Sequence, residues 1–269
     1  MPTLYYKVMP NRFFLYHAEC EDGFASALVP WRIFRNEATY IPVTHGDPPP
    51  DLPEDASVVI TDFSYKRGVL LELAARVADL IVLDHHQTAQ EELRDLEFAH
   101  FDMEKSGATL SWDHWHSGEP APELLRYVED RDLWRFVLPN SREVNAAIAS
   151  YPFKFEVWDR FEARRLAKEG IHVLRTIRQR VMNLADRAIL QDLAGHQVPA
   201  VNASSYNSDL LSELNRRFPD APFAACYYYV GDGRRRWSLA SVGDFDVGAL
   251  AASLGGGGHY HRSGFIEGA

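Results

Sequence analysis

Residues 84–86 place one carboxylate and two imidazoles, Asp84-His85-His86, directly after the short apolar run Ile81-Val82-Leu83. Carboxylates and imidazoles are groups that bind divalent cations. A short run rich in β-branched residues predicts a buried strand of a parallel sheet, and ligands bind outside the carboxyl ends of such strands. The triplet alone is ambiguous, because two adjacent histidines also begin ordinary surface loops.

Two further predicted strands end on residues of the same kind. The strand at 12–16 ends on His17, and a glycine-containing turn with Cys20 and Asp22 leads from there into a helical pattern. The strand at 57–61 ends on Asp62. Strands that alternate with helices predict a parallel sheet whose carboxyl ends share one edge. We therefore expect six side chains to meet at that edge: His17, Asp22, Asp62, Asp84, His85 and His86.

The rest of the pattern predicts an α/β protein in two globular parts. Residues 40–43 read as an edge strand because Pro42 cannot donate a ladder hydrogen bond. Residues 98–103 suggest another short strand, Ser106 an N-cap, and 124–134 a helix that ends in a charged cluster. In that cluster we expect Asp132 to pair with a neighbouring arginine. Residues 144–194 are expected to be mostly helical.

The second part is predicted to be a smaller α/β unit. Strand patterns begin at 196, 223 and 235, with a hairpin signal at Asp232-Gly233 between the last two, and a helix is expected over 208–218. The predicted division is an N-terminal parallel-sheet α/β domain at 1–145, a helical connector at 146–195, and a C-terminal α/β domain with a glycine-rich loop at 196–269.

Four consecutive glycines, residues 255–258, precede His259 near the end of the chain. Such a run alone is typical of a flexible linker. Here it lies between a predicted helix and the final predicted strand, where a linker is out of place. Successive glycine amides can converge on an anion because no Cβ blocks the approach. With His259 and Arg262 beside them, they predict a binding site for phosphate or a nucleotide.

Composition limits the functional classes. A chain of 269 residues with 46% hydrophobic residues can fill a real core. No apolar stretch is long enough to span a membrane, and the first seven residues lack the features of a signal peptide. The 2 cysteines have no CxxC spacing, which fits a cytoplasmic protein without disulfides. A net charge of −10 disfavours binding to long duplexes but permits a small anionic substrate.

Taken together, these motifs resemble those of the DHH phosphoesterase superfamily, and the resemblance covers nearly the whole chain. The triplet at 84–86 matches the motif that names the family. His17 with Asp22-Gly23 resembles the first motif, Asp62 the second and Asp130 the fourth. The glycine run with residues 263–265 is similar to the signature of the DHH-associated C-terminal domain.

The resemblance implies a hydrolase that uses two divalent cations, most often Mn²⁺, with Mg²⁺ or Co²⁺ as alternatives. Asp62 would bridge the two cations, one of which would also bind Asp22, His85 and Asp130, while His17 would bind the other. It further implies catalytic roles for Asp84, which would orient His85, and for His86, which would face the substrate phosphate. The substrate would contact the following residues of the second part: Arg236, Ser238, Gly256, Gly257, Gly258, His259 and Arg262.

Two residues depart from the pattern of the family. Many members have aspartate where Cys20 stands. This thiol is either a metal ligand or a buried thiol without a ligand role, and we place it among the metal ligands. Members often have arginine at the position of Ala240, so a phosphate contact is lost unless Arg236 or Arg262 replaces it. These departures affect the expected substrate more than the expected reaction.

The first hypothesis is a manganese-dependent phosphodiesterase that releases mononucleotides from short single-stranded oligonucleotides or linear dinucleotides, as an oligoribonuclease does. A phosphatase of 3′,5′-bisphosphonucleotides, or a pyrophosphatase or exopolyphosphatase, is the alternative enzyme. A catalytically silent relative that binds nucleotides or nucleic acid is the alternative of another class. We expect neither a membrane nor a long nucleic-acid duplex as a partner. The sequence leaves open whether the chain forms a homodimer.

Overall fold

The computed structural model describes residues 11–267, which form eleven β-strands and ten α-helices. These residues fall into two compact units, with the division between Ile171 and His172. The expectation that residues 1–7 do not form a signal peptide concerns residues outside this range. None of the helices between residues 11 and 267 combines the length and the apolar character that a membrane span requires.

The first unit is built on a five-stranded sheet. Its strands are β1 (Arg12–His17), β2 (Thr39–Val43), β3 (Ser57–Thr61), β4 (Asp79–Asp84) and β5 (Ala99–Phe101). They lie in the order β2-β1-β3-β4-β5, and every neighbouring pair is parallel. The predicted parallel sheet, with an edge strand that contains Pro42, is confirmed. The carboxyl ends of β1, β3 and β4 are therefore neighbours.

Helices cover both faces of this sheet. They are α1 (Glu21–Phe34), α2 (Arg67–Arg76), α3 (Gln87–Leu93), α4 (Gly107–Trp115), α5 (Glu123–Asp132), α6 (Ser141–Ile148) and α7 (Phe155–Trp158). The next helix, α8 (Ala163–Ala185), begins in the first unit and ends in the second. Alternation along the strands divides the core, because successive side chains point to opposite faces. Leu15, Ile60 and Val82 are in register and belong to one buried cluster, whereas Phe14 and Val59 belong to another.

The second unit contains a six-stranded mixed sheet. Its strands are β6 (Ile189–Leu193), β7 (His196–Asn202), β8 (Ala224–Tyr229), β9 (Arg235–Ala240), β10 (Gly257–His259) and β11 (Arg262–Ile266), in the order β10-β11-β9-β8-β7-β6. The pair β7–β8 is parallel, and the other neighbouring pairs are antiparallel. Two helices, α9 (Asn207–Arg217) and α10 (Val247–Ser253), pack against the sheet. The predicted hairpin at Asp232-Gly233 joins β8 to β9.

The region between the predicted domains differs from expectation. The predicted boundary at residue 145 falls inside α6, and the predicted helical stretch to 194 ends earlier, because β6 begins at Ile189. Ala194 and Gly195 both have positive φ, 52° and 83°, and form the two-residue turn that pairs β6 with β7. The segment before residue 196 therefore belongs partly to the second sheet.

Candidate metal centre

The strand-end cluster comprises eight side chains at the carboxyl edge of the first sheet. Its members are His17, Cys20, Asp22, Asp62, Asp84, His85, His86 and Asp132. Three neighbouring strands deliver most of them, because β1 ends on His17, β3 is followed by Asp62, and β4 ends on Asp84. The six residues predicted at this edge lie together because β1, β3 and β4 are neighbours in the sheet. The sheet thus positions the cluster as the sequence pattern indicated.

Asp62 lies at the centre of the cluster and is 2% exposed. Its Oδ1 is 3.0 Å from His85 Nε2, and its Oδ2 is 3.5 Å from His17 Nδ1. The Cys20 thiol donates to the same Oδ2 at 3.4 Å. Burial would raise the pKa of Asp62, but the adjacent imidazoles of His17 and His85 outweigh it and hold the pKa well below its ordinary value. Asp62 therefore carries a negative charge in the interior.

Asp22 is fixed by the first turn of α4. Its Oδ2 accepts the Gly107 N–H at 2.5 Å, and its Oδ1 accepts the Ala108 N–H at 3.1 Å. Amides at a helix N-terminus stabilise a carboxylate. Oδ2 also lies 3.8 Å from His85 Nε2. Burial raises the pKa of Asp22 well above its ordinary value, and the nearby charges of Asp62 and Asp132 raise it further.

Two glycines permit this close packing. A Cβ on Gly107 would lie 2.5 Å from the Cβ of Asp62, and a Cβ on Gly23 would lie 2.3 Å from the carbonyl oxygen of His17. Neither position can accept a larger residue without moving the backbone that carries a cluster residue. The Asp22-Gly23 pair in the sequence is therefore explained by the approach of α1 to β1.

The structure corrects the prediction for α5, since Asp132 and not Asp130 faces the cluster. Asp132 Oδ2 lies 3.5 Å from His85 Nε2. The side chain of Asp132 thus contacts a histidine of the cluster, whereas a pairing with an arginine was predicted. The carboxylate of Asp130 instead accepts the backbone N–H groups of Val137 and Leu138, at 2.9 and 3.2 Å. Residues two apart on a helix point in different directions, and the packing of α5 decides which acid reaches the edge of the sheet.

The structure also corrects the partner of Asp84. Its Oδ1 lies 2.7 Å from His86 Nδ1, and its Oδ2 accepts the Ser64 hydroxyl at 2.6 Å. The contact of Asp84 with His85 is with the backbone N–H, at 2.8 Å. Asp84 therefore orients the ring of His86, whereas an orienting role toward His85 was predicted. Burial would raise the pKa of Asp84, but the charge and hydrogen bond of His86 outweigh it and lower the pKa to about 2.

Two residues near the cluster were not identified from the sequence. Ser64 bonds Asp84, as described above. The ring of His45 lies 5.2 Å from that of His17 and 6.3 Å from that of His86, measured between centroids. His45 follows β2, which is parallel to β1, so the rule that placed the other residues at this edge could have found it. Its loop contains several prolines, and this composition hid the signal.

The donor atoms of the cluster fit divalent cations. One group consists of His17, Cys20 and Asp62, and another of Asp22, His85 and Asp132, with the ligand atoms of each group lying within 4.8 Å of one another. Carboxylates with imidazoles suit ions such as Mn²⁺. Burial and the Asp62 charge also raise the pKa of the Cys20 thiol well above its ordinary value. A cation would relieve the mutual repulsion of the buried acids.

The glycine hairpin, residues 255–266, contains β10 and β11 in the second unit. Gly257 and Gly258 pair with Gly264 and Ser263 of β11. A Cβ on Gly256 would lie 2.0 Å from the carbonyl oxygen of Gly264, and one on Gly258 would lie 2.6 Å from that of Arg262. The glycines therefore have a packing role in a strand that the sequence did not predict.

The polar residues predicted to bind substrate lie on the adjoining strands. Arg236 and Ser238 are half-buried on β9, and Asn207 donates to the Ser238 hydroxyl at 3.4 Å. Arg262 pairs in register with Ala240, the position where arginine was expected. Its guanidinium donates to the Ser208 carbonyl at 3.1 Å and to another serine hydroxyl of α9 at 2.8 Å. A role of these residues and of His259 in binding stays a prediction.

Comparison with known proteins adds one related sequence. No family model matches the chain. An uncharacterized protein of Acanthamoeba polyphaga mimivirus is 29% identical over 279 residues, in an alignment that covers 93% of this chain and 66% of the viral protein. The chain thus spans slightly less than two thirds of the length of that relative.

Two solved structures resemble the chain over almost its whole length. RecJ from Thermus thermophilus, in complex with Mn²⁺, has a TM-score of 0.50 at 14% identity, covering 96% of this chain and 49% of RecJ. The pGpG-specific phosphodiesterase PggH from Vibrio cholerae has a TM-score of 0.47 at 12% identity, covering 96% and 93% of the two chains. The likeness to RecJ, with the parallel sheet and the mixed sheet described above, confirms the predicted architecture: the chain has a DHH-like fold.

Proposed function

We propose that the chain is a metal-dependent phosphodiesterase that hydrolyses short single-stranded oligonucleotides or linear dinucleotides to mononucleotides. The observation that carries this proposal is the buried carboxylate of Asp62, which meets His17 and Cys20 on one oxygen and His85 on the other. The fold shared with RecJ, a protein solved in complex with Mn²⁺, supports the choice of that ion.

Two sets of residues would hold two cations. His17, Cys20 and Asp62 form one set, and Asp22, His85 and Asp132 form the other. Asp62 would be shared, because its second oxygen lies 3.0 Å from His85 Nε2. Divalent cations in such a site polarise a phosphoryl oxygen and lower the pKa of bound water.

The pair formed by Asp84 and His86 would bind the substrate. The bond of Nδ1 to the carboxylate of Asp84 assigns a proton to that nitrogen and directs Nε2 away from Asp84. The imidazole of His86 keeps 20% of its side chain exposed, whereas Asp84 is fully buried. Nε2 can thus meet a phosphate oxygen and stabilise its charge with a hydrogen bond, while Asp84 compensates the charge on the ring.

The net negative charge of the chain favours short substrates. Binding to a long duplex depends on neutralising many phosphates, and a net charge of −10 opposes this. In the second unit, Arg236, Ser238, His259 and Arg262 would bind a phosphate or nucleotide.

The first test offers purified protein with Mn²⁺ a labelled RNA dinucleotide, a long single strand, a 3′,5′-bisphosphonucleotide and pyrophosphate. The proposal expects the dinucleotide to be the best substrate by kcat/KM. Preference for the bisphosphonucleotide or pyrophosphate would establish the alternative phosphatase. Tight binding without turnover of any of them would establish a silent relative, and preference for the long strand would contradict the argument from charge.

The second test replaces the central carboxylate. Asp62→Ala should abolish turnover and lower the content of bound Mn²⁺, measured by elemental analysis. Asp51→Ala is the matched control, because Asp51 is an exposed acid outside the cluster. Unchanged activity in Asp62→Ala would refute the shared role of this residue.

A further inference from the structure

The loop at residues 133–140, here called the aromatic loop, joins α5 to α6 and begins directly after Asp132. Two of its large side chains, Trp134 and Phe136, lie on left-handed backbone, with φ of 57° and 51°. Bulky residues rarely adopt such angles, and they persist where the surroundings impose them. The loop is therefore held in one particular shape beside the candidate metal centre.

Asp130 imposes that shape. Its carbonyl oxygen accepts the N–H groups of Arg135 and Phe136, at 2.9 and 3.2 Å. Its carboxylate accepts those of Val137 and Leu138, at 2.9 and 3.2 Å. Asp130 is 3% exposed, so these bonds are shielded from water. Four consecutive amides thus hold the loop through one buried residue.

The two rings form a cluster with arginines. The guanidinium of Arg131 lies 4.3 Å from the centroid of Trp134, and that of Arg142 lies 3.6 Å from the centroid of Phe136. The rings themselves are 4.9 Å apart and meet edge to face at 77°. Both aromatic side chains are half-buried, so part of each remains accessible. Aromatic rings with arginines beside them are the groups on which the bases of single strands stack.

We propose that Trp134 and Phe136 bind the nucleobase that adjoins the reacting phosphate, with Arg131 and Arg142 as cationic neighbours of the stacked ring. The position of Trp134 supports this, because two peptide steps of about 3.8 Å each separate it from Asp132. The inference rests on the proposed function and deepens it, since it makes a base-bearing nucleotide the substrate. Asp130 is then a positioning residue, which sets the loop without touching substrate.

The experiment compares an RNA dinucleotide with its abasic counterpart, which has the same sugars and phosphate. In Trp134→Leu, the ratio of the two kcat/KM values, dinucleotide over abasic, should fall about 10-fold, as expected for the loss of one base–aromatic stack. Phe136→Leu should lower the same ratio. Trp112→Leu is the matched control and should leave the ratio unchanged, because Trp112 is a half-buried tryptophan that stacks on His116 in another part of the first unit.

A purely structural role of the rings would slow both substrates equally, and an unchanged ratio in Trp134→Leu and Phe136→Leu would overturn the inference. If the leucine variants do not fold, the wild-type dissociation constants of the two dinucleotides decide: tighter binding of the base-bearing form supports the inference, and equal binding overturns it. Wild-type protein that hydrolyses neither dinucleotide would refute the proposed function instead, so the two failures are distinguishable.

Discussion

The strand-end cluster and the glycine hairpin are both unusual in sequence, but the structure accounts for them differently. In the hairpin, the glycines have a local reason, because a Cβ at Gly256 or Gly258 would overlap the backbone of β11. In the cluster, Asp22, Asp62 and Asp132 surround one histidine, and burial and mutual repulsion raise the pKa of Asp22 and of Asp132. The histidines and backbone amides of the cluster stabilise individual carboxylates, but the raised pKa values indicate that the acids still repel one another.

The difference separates two kinds of evidence for a site. Buried acids that repel one another cost stability, and such perturbed groups concentrate where a cation or substrate is bound. Glycines that fit a close approach of two strands stabilise the fold without any ligand. The cluster is thus the stronger indication of chemistry, while the hairpin needs a binding measurement.

The largest expected effect is a loss of activity when Asp132, and not Asp130, of α5 is replaced. Asp132→Asn should lower kcat/KM with Mn²⁺ by at least about 100-fold, because it removes a carboxylate from the group that faces His85. The melting temperature in a chelator should stay the same or rise, since the loss of the Asp132 charge removes repulsion of Asp22 and Asp62. Activity assays and thermal melting measure both. Full activity in this variant would show that Asp132 does not serve the cluster, and the comparison above would lose its basis.

The sequence predicted the edge of the sheet better than the details of the site. Three short apolar runs, one aromatic and two rich in β-branched residues, end on His17, Asp62 and Asp84. Parallel pairing brings such strand ends together whatever the conformations of their loops. The choice between Asp130 and Asp132 depends on how α5 packs, which periodicity does not determine. The partner of Asp84 depends on rotamers, which is why His86 was missed in that role.

Short strands without alternation also escaped prediction. In β6, only the third and fifth residues are partly buried, so it shows no apolar side to the sheet. In β10, a strand of three residues, two glycines pair with β11 only because that strand lies beside them. Such elements are set by tertiary pairing, and local sequence contains little signal for them.

The next prediction tests the packing explanation of the hairpin. Gly256→Ala should lower the free energy of unfolding by about 3 kcal/mol, because the new Cβ would lie 2.0 Å from the Gly264 carbonyl oxygen and the backbone must move. Urea denaturation measures the change. Gly231→Ala is the control, since a Cβ there meets nothing within 4 Å. If the two variants were equally stable, close packing would not explain Gly256, and a role of the glycines in ligand binding would be the better explanation.

A smaller effect should distinguish Asp130 from Asp132 by stability. Asp130→Asn replaces one acceptor oxygen by an amide group, so one of the N–H bonds from Val137 or Leu138 is lost. The cost is about 2 kcal/mol, because these bonds go to a buried carboxylate. Unfolding in a chelator measures it without any contribution of bound metal. If Asp130→Asn were as stable as Asp132→Asn, the aromatic loop would not depend on Asp130.

The smallest effect concerns a carboxylate that is paired with arginines, in contrast to Asp22 and Asp132 of the cluster, whose pKa values burial and neighbouring acids raise. Glu213 of α9 bonds Arg216 and Arg217, and the bond to Arg216 lowers the pKa of Glu213 to about 2. Because the pKa is lower in the folded state, the stabilisation is complete above the unfolded pKa, about 4.3, and is lost as the pH falls toward 2. Arg216 is largely exposed, so the pair is worth about 1 kcal/mol at most.

Glu213→Gln should therefore be less stable than wild type at pH 6, and the difference in unfolding free energy should shrink as the pH approaches 3. Denaturation series at several pH values measure this, with Glu97→Gln as the control acid. A difference that stays constant between pH 6 and pH 3 would mean that the charge of Glu213 does not stabilise the second unit.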